Sequence, residues 1–208
     1  MTSSPREELT ATPQGPGLRE RKKARTRATI RSEAIRLFTE QGFAATTVEQ
    51  IAAAADVSPS TFFRYFPTKE ATVITDEFDP RVFETFMAQP PDVHPVTAFR
   101  LAVRDTLGAA NAADREQEHK RQALYRTEPA LRSALMEQMA SGVDELAGMI
   151  ALRKGGDPED PVTRTQAGAI IGVALSVTRH AHTHPQMDMN ELGTRMDEAL
   201  QMLESMPF

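Results

Sequence analysis

Residues 46–70 constrain the fold of this chain more than any other segment. They read TTVEQIAAAADV followed by SPSTFFRYFPTKE. The alanines give the first part a narrow apolar face, which lets a neighbouring helix approach closely. Ser58 is a typical helix cap, Pro59 suits the first helical position because its missing N–H would be unpaired there, and Pro67 ends the helix. Two short helices joined by a tight turn predict a helix-turn-helix.

A longer helix precedes this unit. Apolar residues recur three and four positions apart between Arg19 and Gln41, which predicts a helix that stops near Gly42. Thr46, with Glu49 three residues later, predicts a capping box at the start of the second helix. Three helices are therefore expected in the N-terminal part of the chain.

The last of these helices, over about 59–65, is too short to be stable alone. It must be held by side chains that pack on the other two helices, and Phe62, Phe63 and Phe66 are the candidates. Because phenylalanine is most often buried, we expect at least two of the three in the core. Phe43 is expected to pack back on the first helix, which completes a compact head.

The rest of the chain also has helical periodicity, with almost no strand alternation. Segments with turn chemistry, such as QPPDVHP and KGGDPEDP, separate the helices. The predicted fold class is therefore all-α, with a three-helix head, a larger helical domain and about nine helices in total. The helices of the larger domain are predicted near 69–88, 95–112, 114–126, 129–153, 161–182 and 189–205.

Charge is distributed unevenly along the chain, whose formal net charge is −5. Residues 1–70 carry 11 Lys and Arg against 8 Asp and Glu, whereas residues 71–208 carry 13 against 21. The segment 18–36 alone holds 8 basic and 2 acidic residues. A charge run on a surface is often only solvated, but a positive field confined to one end is expected if that end meets phosphates.

Several function classes are disfavoured by the composition. The chain has no cysteine, which excludes a disulfide framework, thiolate metal sites and a cysteine nucleophile. His180, His182 and His184 raise the alternative of a metal site, but no third ligand has an obvious place with them, and histidines near a helix C-terminus also suit the helix dipole. No nucleotide-binding or nucleophile motif accompanies the helices. Neither a cofactor, a metal nor catalysis is expected.

Three regions are predicted within the 208 residues. Residues 1–17 are rich in Pro, Gly, Ser and Thr and lack the apolar stretch of a secretion signal, so a disordered tail is expected. The helix-turn-helix domain is placed at 18–68 and the larger helical domain at 69–208. The nearest apolar run, at 167–177, is too short to span a membrane. A cytoplasmic, nucleoid-associated protein is expected.

The first 70 or so residues resemble the TetR family of transcriptional regulators. Helix, loop, helix, turn, helix and the entry into a fourth helix all fall in register with that family. The C-terminal part resembles the branch that includes the mycofactocin-system regulators, on FFRYFPTKE and RQALYRTEPALRSALMEQM. The residues that carry the family resemblance are Phe38, Gly42, Phe43, Thr46, Thr47, Val48, Ile51, Ala52, Ala55, Val57, Ser58, Thr61, Phe63, Tyr65, Phe66, Lys69 and Glu70.

This resemblance implies a homodimeric, sequence-specific DNA-binding regulator and not an enzyme. It implies a repressor that a small apolar or amphipathic ligand, such as an acyl-CoA, releases from a near-palindromic operator on double-stranded DNA. The fourth predicted helix, 69–88, would couple the head to the ligand. The alternative is a DNA-binding regulator without a small-molecule effector.

The resemblance also assigns the DNA contacts. It directs Ser60, Thr61 and Arg64 towards the DNA, where hydroxyls and guanidinium groups bind base edges or phosphates. Tyr65 and Lys69 match positions that hold phosphates, and helix N-termini favour phosphate oxygens. The basic segment that includes Arg21, Lys22 and Lys23 would form an arm along the DNA. The candidate DNA-binding residues are Arg25, Arg27, Thr46, Thr47, Ser58, Ser60, Thr61, Arg64, Tyr65 and Lys69.

A ligand pocket is expected in the C-terminal domain. Ten methionines suit a flexible apolar ligand, although apolar residues at helical spacing are equally consistent with ordinary core. Arg100, Arg104, Arg121 and Arg126 are candidates to meet an anionic group of the ligand. The apolar candidates are Phe83, Phe86, Met87, Phe99, Val103, Leu107, Leu124, Leu135, Met136, Met139 and Ile171.

Dimerisation is expected because one helix-turn-helix makes too few contacts for useful specific affinity. The resemblance implies that the last two helices, near 161–182 and 189–205, pair across the dimer. Both have apolar stripes at helical spacing, and Gly168 and Gly172 lower the profile of the first. The stripes are equally consistent with core packing inside one chain.

Overall fold

The computed structural model describes residues 17–74 and 78–206, which form ten α-helices and contain no strand. The all-α prediction is confirmed. The predicted disordered tail, apart from Gly17, lies outside the described residues. The helices are α1 (Leu18–Gln41), α2 (Val48–Ala54), α3 (Pro59–Tyr65), α4 (Ala71–Ile74), α5 (Phe78–Ala88), α6 (Pro95–Gly108), α7 (Ala112–Thr127), α8 (Pro129–Lys154), α9 (Pro161–Thr183) and α10 (Met189–Glu204).

The first helix ends where the sequence predicts. Gly42 follows α1 with a φ of 88°, in the region that favours glycine, and its N–H donates to the Phe38 carbonyl at 3.1 Å. The chain then turns back, and the rings of Phe38 and Phe43 lie 4.8 Å apart between centroids. Both side chains are buried, so this contact fixes the angle at which the chain leaves α1.

The capping box of α2 lies one residue later than predicted. The Thr47 hydroxyl accepts from the Gln50 backbone N–H at 3.2 Å, and the Gln50 side chain accepts from the Thr47 N–H at 2.9 Å. The prediction of Thr46 and Glu49 is wrong because Thr46 faces inward. Its side chain is only 1% exposed and its hydroxyl donates to the Gly42 carbonyl at 2.8 Å, so it closes the α1–α2 loop.

Helix α3 is held as expected. Ser58 caps it by accepting from the Thr61 N–H at 3.1 Å, and Pro59 occupies its first position. Phe62 and Phe66 are fully buried, which confirms that at least two of the three phenylalanines belong to the core. Phe63 lies on the opposite face and is 53% exposed. The seven-residue helix is therefore stabilised by two aromatic side chains and a cap.

Helix α4 joins the head to the C-terminal domain. Val73 on this helix is fully buried, and the Tyr125 hydroxyl of α7 donates to the Val73 carbonyl at 3.3 Å. Leu131 and Leu135 of α8 belong to the same hydrophobic cluster as the core of the head. The head is thus packed on α7 and α8. The predicted helix 69–88 corresponds to α4 and α5, and residues 75–77 between them lie outside the described residues.

The C-terminal helices begin and end close to the predicted residues. The largest difference is at the α6–α7 junction, where α6 already ends at Gly108 and Asn111 caps α7 in a capping box with Asp114. A second hydrophobic core lies between α5, α6, α8, α9 and α10. Its fully buried members are Phe86, Val96, Ala98, Ala102, Leu146, Ala147, Ile150, Ala167, Ile170 and Leu200.

Candidate DNA-binding surface and ligand cavity

The start of α3 presents a group of hydroxyls that are already oriented. Ser58 Oγ lies 3.0 Å from Ser60 Oγ and donates to Thr61 Oγ1 at 3.0 Å. Ser58 and Ser60 are exposed and Thr61 is half-buried. Hydroxyls can both donate and accept, so this group can bind base edges or phosphate oxygens. The structure thus brings together three of the predicted DNA-binding residues.

The rest of the exposed face of α3 combines a cation with an aromatic surface. Arg64 is exposed, and its guanidinium carbon lies 5.5 Å from the centre of the half-buried Tyr65 ring. Phe63 projects from the same helix, and its ring meets Phe62 edge-on at 5.5 Å. Phe63 is predicted only as one of three candidates for the core, not as a surface residue. The four-residue spacing of Phe62 and Phe66 could have shown that Phe63 faces the other way.

Lys69 ties the loops of the head together. Its ammonium donates to the carbonyls of Phe43 at 2.8 Å and Thr46 at 3.1 Å, and lies 4.3 Å from the centre of the Phe43 ring. The ammonium has three N–H donors, so these two bonds leave room for one phosphate oxygen. The exposed Thr47 lies at the N-terminus of α2, whereas the buried Thr46 is part of the loop that Lys69 binds.

The basic residues of α1 differ in what they contact. Arg25 is exposed, whereas Arg27 is half-buried, with its guanidinium carbon 4.9 Å from the centre of the Phe66 ring. Arg31 is buried and lies 5.9 Å from the same ring. Stacking on aromatic faces suits arginine. The basic helix therefore supports α3 from behind as well as carrying positive charge.

A cavity of about 220 Å³ lies among the helices of the C-terminal domain. Seven of the eleven predicted apolar candidates line it, namely Phe83, Phe99, Val103, Leu107, Leu135, Met139 and Ile171. Other described lining residues are Ile74, Val82, Glu118, Arg121, Gln122, Tyr125, Gln138, Gly142, Glu145, Ala174, Thr178, Met189, Leu192 and Met196.

The remaining four candidates lie elsewhere. Phe86 is fully buried in the second core beneath the guanidinium of Arg153, and Met87 packs against the same core. Leu124 belongs to the core shared with the head. Met136 is 42% exposed because it is on the outer side of α8. Apolar periodicity alone did not separate cavity wall from core or from surface.

Most of the polar wall of the cavity lies outside the predicted site residues. Four polar residues of α7 line the cavity and lie on one face of the helix, because they follow one another at spacings of three, one and three residues. They form a polar stripe that consists of Glu118, Arg121, Gln122 and Tyr125. Arg121 is one of the four arginines predicted to meet an anionic group of the ligand, whereas Glu118, Gln122 and Tyr125 are not among the predicted residues. The spacing alone indicates a shared face, but only the burial of Leu124 and Tyr125 in the structure shows that this face points inward.

The other predicted polar groups have structural partners. Arg100 of α6 donates to Asp197 at 3.0 Å and Glu204 at 3.1 Å on α10. The rings of His180 and His184 stack at 3.7 Å between centroids. His182 is buried and stacks on Tyr125 at 4.7 Å. Burial lowers the pKa of His182 to about 4, with further lowering by neighbouring arginines, Arg121 first among them.

Comparisons with known proteins agree with this geometry. Residues 30–73, which span most of the head, match the family model "Bacterial regulatory proteins, tetR family", and residues 93–206 match the "MftR C-terminal domain". The chain belongs to the TetR family of transcriptional regulators. As a TetR-family protein it is a DNA-binding regulator of transcription and not an enzyme. The predicted resemblance to the mycofactocin-regulator branch is confirmed.

Individual TetR-family relatives match over most of their length. The chain is 34% identical over 204 residues to the transcriptional regulator TcmR of Streptomyces glaucescens, covering 93% of this chain and 89% of TcmR. It is 31% identical over 185 residues to the mycofactocin biosynthesis regulator MftR of Mycobacterium tuberculosis, covering 85% and 90%.

Solved structures show the same fold. A TetR-family regulator from Syntrophomonas wolfei is similar with a TM-score of 0.57 at 16% identity, covering 89% of this chain and 98% of that one. SmeT, the repressor of a Stenotrophomonas maltophilia multidrug efflux pump, is similar with a TM-score of 0.51 at 20% identity, covering 85% and 89%. No helix in the described part of the chain is long and apolar enough to cross a membrane.

Proposed function

We propose that this TetR-family protein is a homodimeric repressor that a small apolar or amphipathic ligand releases from a near-palindromic operator. The observation that carries the proposal is a helix-turn-helix head and a largely apolar cavity that meet at one short helix. Ile74 of α4 lines the cavity, and α4 follows directly on the head. A ligand that fits one arrangement of α4 better than another shifts the population of the heads.

In this proposal α3 lies in the major groove. Ser60, Thr61 and Arg64 bind base edges, and Arg64 suits the paired acceptors of guanine. Phe63, with its exposed ring, makes apolar contact with a thymine methyl group. The residues that face the phosphates are Arg25, Arg27, Thr47, Ser58, Tyr65 and Lys69. Thr46 contributes to DNA binding indirectly, by closing the loop between α1 and α2.

The dimer is proposed to form through α9 together with α10. Described residues on one face of α9 are exposed or half-buried and mostly small: Val162, Thr165, Ala169, Gly172 and Ser176. Their alternating spacing of three and four keeps them on a single stripe, and small side chains allow a second helix to approach closely. A second head then doubles the contacts and reads the other half of the operator.

The ligand is proposed to bind inside the cavity. A volume of about 220 Å³ is smaller than the range of roughly 300–1,000 Å³ typical of pockets for drug-sized ligands. Acyl-CoA stays a prediction from the resemblance, and within this volume only its acyl part would be enclosed. A regulator without an effector would have no use for such a cavity beside α4.

Fluorescence anisotropy with labelled DNA from upstream of the protein's own gene tests the proposal. We expect tight binding that weakens steeply as salt rises, because phosphate contacts release counterions. Light scattering of the free protein should give twice the chain mass. Binding no tighter than to a scrambled duplex of the same composition would contradict DNA recognition at this site, and a monomeric mass in the bound complex would contradict the dimer.

The ligand step is tested on the same complex. An apolar compound that raises the melting temperature should also lower operator affinity, because it binds one arrangement of the heads preferentially. Compounds that stabilise the protein without changing operator affinity would contradict release by ligand while leaving the DNA-binding regulator in place.

A further inference from the structure

The polar stripe of α7 gives the cavity one hydrogen-bonding wall. Arg121 Nη2 lies 2.7 Å from Glu118 Oε2, and Gln122 Nε2 donates to Glu118 Oε1 at 2.5 Å. Glu118 is 7% exposed and Gln122 9% exposed, so these groups are almost removed from water. Apolar side chains from other helices, including Phe83, Phe99 and Ile171, make up much of the remaining lining. A ligand in this cavity therefore meets most of its polar contacts on α7, with Gln138, Glu145 and Thr178 as the further polar lining residues from α8 and α9.

The charges on this wall compensate each other. Among the described lining residues the charged groups are the buried Glu118 and the half-buried Arg121, which form an ion pair, and Glu145, which is exposed. A charge on an enclosed ligand would need a partner, because an unpaired charge in an apolar site is strongly unfavourable. Because Arg121, the cation of the described lining, is already paired with Glu118, the described lining favours an uncharged ligand.

Gln122 offers an acceptor that a ligand with a hydrogen-bond donor can bind. Its Nε2 must face Glu118 because a carboxylate can only accept, and this fixes the orientation of the amide. Within the described residues no donor reaches the buried Gln122 Oε1. Buried carbonyl oxygens nearly always have a donor, and the Gln122 side chain lines the cavity. A ligand hydroxyl or N–H would be that donor.

Resting on the proposed function, we propose that the effector is a compact, uncharged, largely apolar molecule with a hydroxyl or N–H that donates to Gln122 Oε1. Its apolar body packs on the phenylalanine and isoleucine side chains from the other helices. Gln122 also lines a smaller neighbouring cavity of about 130 Å³, together with Arg115, His119 and Asn190. The ligand's donor therefore binds at the boundary between the larger, mostly apolar cavity and this smaller cavity.

Three probes with one chain and different head groups test this inference: octan-1-ol, its methyl ether 1-methoxyoctane, and octanoate. Binding to the full-length protein is measured by calorimetry. We expect octan-1-ol to bind about tenfold more tightly than the ether, because the ether has no hydrogen-bond donor. A tenfold difference in affinity corresponds to roughly one buried hydrogen bond. Octanoate should bind most weakly because Arg121, the cation of the described lining, is already paired with Glu118.

The Gln122→Met variant should remove the preference for the alcohol while leaving ether binding unchanged. Gln138→Met is the matched control, because Gln138 lines the same cavity from α8; it should keep the tenfold preference. If Gln122→Met does not fold, judged by circular dichroism, the comparison of alcohol and ether on the unchanged protein decides alone.

Three results would overturn the inference: equal binding of alcohol and ether, tightest binding of octanoate, or a preference that survives in folded Gln122→Met. Absence of binding by all three probes would overturn it as well. Operator binding is measured on the same samples. A failed ligand test with intact operator binding contradicts only the inference about the ligand, whereas failure of operator binding contradicts the proposed regulator.

Discussion

The head and the C-terminal domain hold their polar groups in opposite ways. In the head, Ser58, Thr47 and Lys69 bond to groups on neighbouring turns and loops and stay at or near the surface. In the C-terminal domain, Glu118 and Gln122 are withdrawn into an apolar cavity. Polar groups at a surface are solvated by water until phosphates bind, whereas a buried polar group without a partner raises the free energy of the folded protein. The first region suits DNA, and the second suits one small ligand.

The sharpest contrast within the head is between two adjacent phenylalanines. Phe62→Ala removes a fully buried ring from α3, and a cavity of that size lowers the free energy of unfolding by about 3–5 kcal/mol. Chemical denaturation followed by circular dichroism measures it. Phe63→Ala is the control: because that ring is 53% exposed, stability should change by no more than about 0.5 kcal/mol. Operator affinity should nevertheless fall in Phe63→Ala.

Equal loss of stability in the two phenylalanine variants would show that Phe63 belongs to the core, and its proposed contact with DNA would be abandoned. Unchanged operator affinity in Phe63→Ala would have the same consequence for the contact but would leave the packing of α3 as described.

Arg64 tests whether the surface of α3 is used for recognition. Arg64→Ala should weaken operator binding by about 1–3 kcal/mol, because one cationic donor pair to a base or phosphate is lost. Titrations at several salt concentrations separate the two targets: loss of a phosphate contact lowers the salt slope, and loss of a base contact changes the preferred sequence. Arg104→Ala, an exposed arginine of the C-terminal domain, is the control and should bind as tightly as the unchanged protein.

Tyr125 lies where the two regions meet. Its hydroxyl and Arg121 Nη1 both reach the Val73 carbonyl of α4, at 3.3 and 3.4 Å, while its side chain lines the cavity. Tyr125→Phe keeps the ring and removes the hydroxyl, which should lower the free energy of unfolding by about 1 kcal/mol. The loss of operator affinity caused by octan-1-ol should then become smaller, because cavity and α4 are less tightly coupled.

Thr178→Val is the matched control for this coupling, since Thr178 lines the same cavity from α9. It should retain the effect of octan-1-ol on operator affinity. The same effect in Tyr125→Phe as in the unchanged protein would show that the bond to Val73 does not transmit ligand binding.

The head could be predicted in detail because its structure is determined locally. A cap, a stop and a turn each involve residues within about four positions of one another, so Ser58 and Gly42 could be placed from the sequence alone. The wrong prediction of Thr46 as the cap of α2 shows the limit of prediction from local sequence. Two adjacent threonines fit the same pattern, and only the burial of one against the Gly42 carbonyl decides between them.

The cavity could be predicted only in outline because no local pattern defines it. Phe83 and Phe86 have the same chemistry and lie three residues apart, yet one lines the cavity and the other is fully buried in the core. Which of them faces empty space depends on how α5 packs against several other helices. The polar stripe of α7 was not predicted either, because only the packing of α7 against α4 and α9 shows that this face is buried.

His182 is expected to have the smallest effect, which is a dependence of protein stability on pH. It stacks on Tyr125, and burial together with nearby arginines lowers the pKa of its imidazole to about 4, below the ordinary value near 6.5. The folded protein therefore keeps His182 neutral at pH values where the unfolded chain already binds a proton. Stability should be at its full value above about pH 6.5 and should fall as the pH drops towards 4.

Urea denaturation at pH 7.5, 6.5 and 5.5 measures this dependence. His182→Phe keeps an aromatic ring on Tyr125 but cannot bind a proton, so its stability should fall less across the same range. His119→Phe is the control, because His119 lies on the smaller cavity rather than on Tyr125. Parallel curves for His182→Phe and the unchanged protein would show that another group carries the pH dependence, and the buried stack beside α4 would then be a packing contact only.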